Sequence, residues 1–327
     1  EKKKPPPGAS SQTDDEDEPA PDAWRVAFAL SFLTFVAVTK TLLTKTVFVH
    51  VPTPVAFSVL SCIVTAICML PIFACNPSLF APLNRNLLLR FLAVCAAIAL
   101  DLACTNVAIS LLSVALQQCI KATSPAATAL VESAWNRRCR HPLLYTVVAL
   151  LCVGPILTRL GSSSFDSTPL GVGMMVVAVV SGAFKYVLAH ATIKEYKATL
   201  GTLAFTFWVE IFVGVMLLPW AVFNGEAKLL LLGDRSIADW ALLLFTGAYG
   251  GVRIYSQFAL LEFTSATTLS ISNVVIQAFT IILGVLLFHT ALTAYLIAGV
   301  SVTIVSSALY TYVSISGVLE PKRTTLM

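Results

Sequence analysis

The chain has 327 residues, of which 57% are hydrophobic and only 12% are charged, with a formal net charge of +4. A soluble domain carries about 25% charged residues, so the composition excludes an ordinary soluble protein and predicts an integral membrane protein. The eight cysteines form no Cys-x-x-Cys pair, so neither a zinc site nor a disulfide scaffold is indicated.

The N-terminal segment differs from the rest of the chain. Residues 1–23 are rich in proline, serine and acidic residues, which predicts a disordered tail. They lack the apolar centre of a signal peptide, and a transit peptide upstream of Glu1 remains open. Residues 24–316 form the predicted membrane domain, and residues 317–327 form a short C-terminal tail.

Ten apolar stretches follow the tail, each close to the roughly 20 residues that a helix needs to cross a bilayer. They predict an all-α integral membrane fold with ten transmembrane helices. The predicted spans are 24–44, 54–75, 87–108, 112–134, 142–160, 169–192, 201–223, 237–260, 264–287 and 291–315. Pro125 predicts a kink in the fourth span, because proline has no backbone N–H to donate.

Basic residues in the predicted loops indicate the orientation. Ten spans place both termini on one side, and that side holds most of the loop arginines and lysines, including the run "NRRCRH" at 136–141. By the positive-inside rule both termini are therefore predicted to be cytosolic. We interpret the basic run as a topology anchor, and nothing in the sequence supports nucleic-acid binding.

The two halves of the chain resemble each other. A register that places Ser113 on Ser265 lays "SVALQQCIKATSPAATALVES" over "SATTLSISNVVIQAFTIILGV". Residues 24–160 and 169–315 are then two five-helix repeats, which run in opposite directions through the membrane because five is odd. Inverted repeats are typical of transporters that work by alternating access.

Eight ionisable residues fall within predicted spans: Lys40, Asp101, Lys121, Glu132, Lys185, Glu210, Arg253 and Glu262. Four of them are candidates for a central site: Asp101, Lys121, Lys185 and Arg253. A charge at the bilayer centre costs about 2.5–3.5 kcal/mol, so each needs a partner or a water-filled cavity. One interpretation is a structural ion pair, formed by Asp101 with Lys121 or with Arg253. The other is that three cations against one acid bind an anionic solute.

Polar uncharged residues cluster in the same spans. Gln117, Tyr249, Asn273 and Gln277 either hydrogen-bond neighbouring helices or line a site for a polyhydroxylated solute. The glycine-rich run "TGAYGGVR" at 246–253 permits close helix approach and is a candidate for a flexible gate.

Three charges near predicted span ends have a simpler interpretation. Lys40, Glu132 and Glu262 can reach the membrane interface with their charged groups, and we expect them there. The four histidines are scattered, and the sequence has no P-loop, HExxH motif or complete dinucleotide fingerprint. We therefore predict no enzyme, no metal site and no cofactor.

Three longer motifs follow one another in a specific order. They are "TKTVFVHVPTP" at 44–54, "TNVAISLLSVALQQCIKATSPAATAL" at 105–130 and "GVLLFHTALTAYLIAGVSVTIVSSALYTYV" at 284–313. Their order and spacing resemble the triose-phosphate and nucleotide-sugar transporters of the drug/metabolite transporter superfamily. The resemblance covers nearly all of residues 24–316.

The resemblance implies a ten-helix, inverted-repeat antiporter with a central site. In plastid-type members a lysine of span 4 and a Lys-Arg pair of span 9 hold the phosphate. Lys121 matches the first lysine, whereas the pair would fall on Ile276 and Gln277, so both of its cations are absent. This departure favours a nucleotide sugar or related organic anion over simple sugar-phosphate exchange, with Arg253 supplying charge from span 8.

The leading hypothesis is therefore a secondary antiporter that moves such an anion across an endomembrane. The Golgi or the endoplasmic reticulum is the expected location, with a plastid-like organelle as the alternative. Expected partners are the anionic substrate and the lipid bilayer, and the protein is expected to be a monomer or a homodimer. The alternatives are a sugar-phosphate exchanger with altered substrate, an exporter of a neutral or cationic metabolite that relies on Asp101, and a non-transporting scaffold or receptor.

Overall fold

The computed structural model describes residues 23–83, 88–135, 143–161, 168–196, 201–263, 266–288 and 293–315, and most of them lie in α-helices. The helices are α1 (Ala23–His50), α2 (Pro54–Cys75), α3 (Leu88–Leu111), α4 (Val114–Lys121), α5 (Ser124–Trp135), α6 (Leu143–Gly161), α7 (Pro169–Tyr196), α8 (Thr202–Phe223), α9 (Glu226–Leu232), α10 (Ile237–Phe263), α11 (Ala266–Leu287) and α12 (Ala294–Ile315). Each predicted span therefore coincides with helical sequence. A 3-10 turn at Pro77–Leu79 and the short α9 lie between predicted spans.

Length and apolarity identify helices that suit a bilayer. Within the described residues, five helices are long and apolar enough to cross one: Ala27–His50, Pro54–Cys75, Leu88–Leu111, Pro169–Ile193 and Thr202–Phe223. Shorter apolar helical segments occur at Ala149–Thr158, Val275–Leu287 and Ala294–Leu309. The all-helical architecture and these spans make the chain a multi-pass membrane protein.

Burial is distributed as expected for a protein that lies in lipid. Large apolar side chains on the outside of the helices are more than half exposed, including those of Phe28, Phe35, Val215, Phe223 and Ile237. Polar and charged side chains are buried in the interior, including those of Lys40, Gln117, Gln118, Glu210, Gln257 and Gln277. Because lipid satisfies no polar group, the interior is the place where such residues are tolerated.

The fourth predicted span is two helices instead of one. α4 begins after Ser113, whose hydroxyl accepts a hydrogen bond from Leu116 N at 3.3 Å, and it ends at Lys121. A turn at residues 122–123 precedes α5, in which Pro125 is the second residue. Proline is tolerated in the first turn of a helix, where its missing N–H would have no partner. The predicted kink is thus a complete break, and it places Lys121 at a helix C-terminus.

The glycine-rich run of α10 packs closely on α2. A Cβ atom on Gly251 would overlap the side chain of Thr65, and one on Gly247 would lie 3.3 Å from Ser61 Cα. The Ser61 hydroxyl donates a hydrogen bond to the Gly247 carbonyl at 3.2 Å. The predicted close approach is therefore confirmed, and it brings α10 with Arg253 against the centre of the bundle.

A second close contact joins α6 to α12. A Cβ atom on Gly154 would overlap Thr303 Oγ1, and one on Gly299 would overlap Thr158 Oγ1. Each threonine hydroxyl donates to the glycine carbonyl one turn earlier on its own helix, Thr158 to Gly154 at 3.0 Å and Thr303 to Gly299 at 2.8 Å. The two helices therefore use the same Gly-x-x-x-Thr device reciprocally.

Near the α1–α2 connection, charged side chains form hydrogen bonds with backbone groups at two helix ends. Lys45 Nζ donates to the carbonyls of Ile109 and Leu112, both at 2.8 Å, at the C-terminal end of α3. Glu226 Oε2 accepts from the backbone N–H groups of Val55 at 2.7 Å and Ala56 at 3.0 Å, in the first turn of α2. Both contacts place a charge at the helix end whose dipole it complements.

Candidate functional site

A cavity lies in the centre of the bundle, where seven helices meet. Its walls come from α1, α2, α3, α4, α7, α8 and α10, and its volume is about 70 Å³. Six charged residues line it: Lys40, Asp101, Lys121, Lys185, Glu210 and Arg253. Four cations therefore face two carboxyl groups in an interior that lipid surrounds.

Asp101 on α3 forms an ion pair with Lys185 on α7. The other carboxylate oxygen, Oδ1, accepts a hydrogen bond from Thr105 Oγ1 at 3.2 Å. Gly182 lies beside the pair, since a Cβ there would be 3.5 Å from Asp101 Oδ1. The expected pairing of Asp101 with Lys121 or Arg253 is wrong, because one turn of α7 brings Lys185 directly against the acid.

Lys121 and Arg253 retain uncompensated charge at the centre. Both line the main cavity, and both also line a smaller pocket of about 20 Å³ beside it. Within the part of the chain that the structure describes, neither forms an ion pair. The structure thus brings the two predicted cations of spans 4 and 8 to one place.

Lys40 is a charged residue that the sequence interpretation misplaced. It is 8% exposed and lines the cavity, with Nζ 4.6 Å from the centre of the Phe57 ring. The expectation of an interfacial lysine is wrong, because α1 continues to His50, beyond the predicted end at 44. Gly250 leaves room for it, since a Cβ there would lie 3.0 Å from Lys40 Cε.

Glu210 is a charged residue to which the sequence interpretation gave no role. It lies on α8, is 2% exposed and lines the cavity, although we did not select it as a site residue. Its Oε1 atom has no hydrogen-bond partner among the described residues. The signal was present in the sequence, because Glu210 is a charge in the middle of the apolar run "FTFWVEIFVG".

Uncharged polar groups supply further hydrogen-bonding capacity. Gln118 Nε2 donates to Gln117 Oε1 at 2.7 Å, and Gln117 Nε2 has no partner among the described residues. Asn273 and Gln277 line the smaller pocket, and Gln277 Oε1 is likewise unpartnered in the described part of the chain. Tyr249 is not part of either lining; its ring stacks on Phe245, 5.9 Å between centroids.

The two acids that were expected near span ends, Glu262 and Glu132, are not among the cavity residues that the structure describes. Glu262 occupies the last turn of α10 and accepts a hydrogen bond from Thr202, which suits the expected position near a span end. The side chain of Glu132 and the basic run at 136–141 lie outside the described residues.

Comparison with known proteins finds a transporter family and several of its relatives. The model of the Triose-phosphate Transporter family matches residues 25–311. Solute carrier family 35 member E4 of Rattus norvegicus is 26% identical over 237 residues, which cover 72% of this chain and 67% of that protein. UDP-uronic acid transporter 1 of Arabidopsis thaliana is 23% identical, covering 63% of this chain and 67% of that protein.

Two further comparisons extend this result. A probable sugar phosphate/phosphate translocator of Arabidopsis thaliana is 25% identical, covering 70% of this chain and 56% of that protein. A crystal structure of a protein with 14% identity covers 88% of this chain and 98% of that chain, with a TM-score of 0.55. At that identity, the structural likeness shows a shared fold.

Proposed function

The chain belongs to the Triose-phosphate Transporter family, and from this premise we propose that it is an antiporter for a nucleotide sugar or related phosphorylated organic anion. Membership makes it a membrane transporter and not an enzyme. The observation that carries the proposal is the cationic surplus of the central cavity. Once Lys185 is paired with Asp101, Lys40, Lys121 and Arg253 face Glu210 alone.

A phosphorylated anion fits this surplus. Phosphate oxygens accept strong, charge-assisted hydrogen bonds from lysine and arginine, and Arg253 can offer two at once. In the proposal Lys121 and Arg253 contact phosphate, while Gln117, Asn273 and Gln277 hydrogen-bond sugar or base hydroxyl and carbonyl groups. The printed names of the relatives include a UDP-uronic acid transporter and a sugar phosphate/phosphate translocator, which supports the substrate class.

In the proposal, Arg253 takes the place of the Lys-Arg pair that is absent from span 9. Ile276 and Gln277, where the resemblance implies a Lys-Arg pair, line the smaller pocket together with Lys121 and Arg253. In the proposal, one cation from the neighbouring helix occupies the space of the pair. Because fewer cations then contact the phosphate, contacts with the sugar or the base must contribute more of the substrate's binding free energy.

The size of the cavity supports alternating access. Ligand sites usually have volumes of about 300–1,000 Å³, whereas this cavity has about 70 Å³. A nucleotide sugar enters only if the helices move apart. We therefore propose that the transport cycle includes a conformation with a larger cavity than the one described.

The helix contacts support ten spans in two inverted repeats. In the proposed repeat, the helices of the second half, α7, α8, α10, α11 and α12, correspond in order to α1, α2, α3, α4/α5 and α6. The packing of α1 on α10 then corresponds to the packing of α7 on α3. The pairs α2–α8 and α6–α12 lie on the axis between the repeats, and the reciprocal Gly154–Thr303 and Gly299–Thr158 contacts fit such an axis. This correspondence is the basis for two halves that exchange conformations.

The alternatives receive less support. An exporter of neutral or cationic metabolites would need Asp101 as a free ligand, and Lys185 already occupies it. A scaffold or receptor would leave Lys40, Lys121 and Arg253 without a purpose in the cavity, although each is costly in a membrane. The proposed location is an endomembrane of the Golgi or endoplasmic reticulum with both termini in the cytosol, as the loop charges predict.

Counterflow in proteoliposomes tests the proposal. The purified protein is reconstituted, and exchange is measured with a panel of UDP- and GDP-sugars, sugar phosphates and inorganic phosphate. We expect exchange of at least one phosphorylated anion, and loss of that exchange in Lys121→Ala. Lys228→Ala, an exposed lysine on α9, is the matched control and keeps the wild-type rate. If no anion exchanges, or if Lys121→Ala exchanges normally, the assignment is wrong.

A further inference from the structure

Glu210 is the one carboxyl group of the cavity lining that has no cation in contact. Asp101, the other acid, is held by Lys185 and Thr105 through both of its oxygens. Among the described residues, Glu210 forms no ion pair, and its Oε1 atom has no hydrogen-bond partner. A buried carboxylate in this state is costly, so a small change in the charge around it is enough to favour its protonated form.

The groups around Glu210 come from four helices. Lys40 on α1, Cys62 on α2, Cys95 on α3 and Arg253 on α10 are the titratable or charged groups that face it. Cys62 lies beside the carboxyl group. Lys40 and Arg253 line the same cavity but lie beyond ion-pair distance. Glu210 is therefore next to the proposed substrate and is open to a proton from the cavity.

We propose that Glu210 is a proton-binding site of the transport cycle, and that it takes up a proton when the anionic substrate enters the cavity. The proposal rests on the proposed function for the identity of the ligand. It adds a second ligand, the proton, that moves with the anion.

The direction of coupling follows from charge. An anion in the cavity draws Lys40 and Arg253 toward its own oxygens and places negative charge beside Glu210. A like charge disfavours the ionised carboxylate, so anion binding favours the protonated form. By linkage, a proton on Glu210 tightens anion binding by the same factor. The proton reaches Oε1 from the side on which the anion enters and leaves on the side where the anion is released.

Infrared spectroscopy of the purified protein tests the proton site without any substrate. The carbonyl stretch of a protonated, buried carboxyl group absorbs apart from that of a carboxylate. We expect a band that grows as pH falls and is absent from Glu210→Gln. Glu262→Gln, which removes a carboxyl group bonded to Thr202 outside the cavity, keeps the band. If Glu210→Gln retains every titrating carboxyl band, the proton site is wrong.

Isothermal titration calorimetry measures the coupling. UDP-glucose is the probe, because its diphosphate keeps its charge across neutral pH. Titrations in buffers with different ionisation enthalpies give the number of protons bound with each UDP-glucose. We expect uptake of up to about one proton in the wild type and none in Glu210→Gln. Equal proton uptake by the two proteins would refute the coupling.

A lysine control separates Glu210 from its neighbour. Anion binding also favours protonated Lys40, so Lys40 is one competing source of proton uptake. Lys40→Arg keeps the positive charge but does not titrate, and we expect it to retain the uptake. Loss of uptake in Lys40→Arg would assign the proton to Lys40 and overturn the proposal. If UDP-glucose does not bind the wild type, UDP-glucose is not the substrate, and the infrared band alone decides the proton site.

Discussion

Lys185 on α7 and Asp101 on α3 form an ion pair at the wall of the central cavity. The pair neutralises one cation and one acid of the six charged residues in the lining. What remains is a surplus of positive charge on α1, α4 and α10, opposite a single glutamate on α8. This division into a structural pair and an available set of cations underlies the functional proposal.

The ion pair predicts a specific pattern of stability. Asp101→Asn leaves Lys185 buried without its partner, and Lys185→Met does the same to Asp101. Removal of one member of a buried pair costs about 3–5 kcal/mol, whereas replacement of both is often close to neutral. The midpoint of thermal unfolding in detergent should therefore fall in each single variant and recover in Asp101→Asn/Lys185→Met. Asp234→Asn, an exposed acid, is the control. A double variant no more stable than the single ones would show that the two residues are not coupled.

The smaller pocket predicts a gain of function. Ile276→Lys with Gln277→Arg restores the two cations that the family resemblance implies, next to Lys121 and Arg253. Each charge-assisted hydrogen bond is worth about 1.5–3 kcal/mol, so inhibition by sugar phosphates should strengthen about 10–100-fold per bond. Competition of glucose 6-phosphate against the transported substrate in proteoliposomes measures this. Gln277→Met alters the side chain without charge and should bring no gain. Unchanged inhibition by glucose 6-phosphate in the double variant would mean that the pocket does not receive phosphate.

Much of the fold could be predicted from the sequence, because membrane helices have a minimum length and an apolar composition. The predicted segments fall on helical residues, although the fourth is two helices, and the glycine-rich run of α10 packs as expected. Lys121, Asp101, Lys185, Arg253 and Gln117 were selected because charge and polarity are costly in lipid, and all five line one cavity. Their role in binding stays a prediction.

The rest depended on information that a linear pattern does not contain. Lys40 seemed interfacial because hydropathy did not show that α1 continues to His50. The partner of Asp101 depends on which face of α7 packs on α3, and the sequence of a helix that is apolar on all sides does not indicate that face. Tyr249 lies on α10 near Arg253 in sequence but points its ring toward Phe245, outside both linings. Glu210 was missed although the criterion used for Lys121 applies to it equally.

The contact between α6 and α12 predicts a sharp sensitivity to volume. Gly154→Ala places a methyl group against Thr303 Oγ1 and within 2.9 Å of the Gly299 carbonyl oxygen. Because that oxygen belongs to the backbone, the helices must separate, and overpacking of this kind costs about 1–3 kcal/mol. The midpoint of thermal unfolding should fall in Gly154→Ala. Gly173→Ala on α7 is the matched control, since no atom lies within 4 Å of its added Cβ. Equal stability of the two variants would contradict the close packing.

The contact of Glu226 with α2 predicts a local effect on backbone exchange. The carboxylate accepts hydrogen bonds from the N–H groups of Val55 and Ala56, which have no partner within the helix. Glu226→Ala removes this acceptor, and loss of such a cap costs about 1 kcal/mol. Hydrogen–deuterium exchange of a peptide that covers residues 54–60 should therefore become about fivefold faster, because 1 kcal/mol corresponds to that factor at 25 °C. Lys228→Ala alters the exposed face of the same short helix and should leave this exchange unchanged. If Glu226→Ala exchanges at the wild-type rate, α9 does not hold the start of α2.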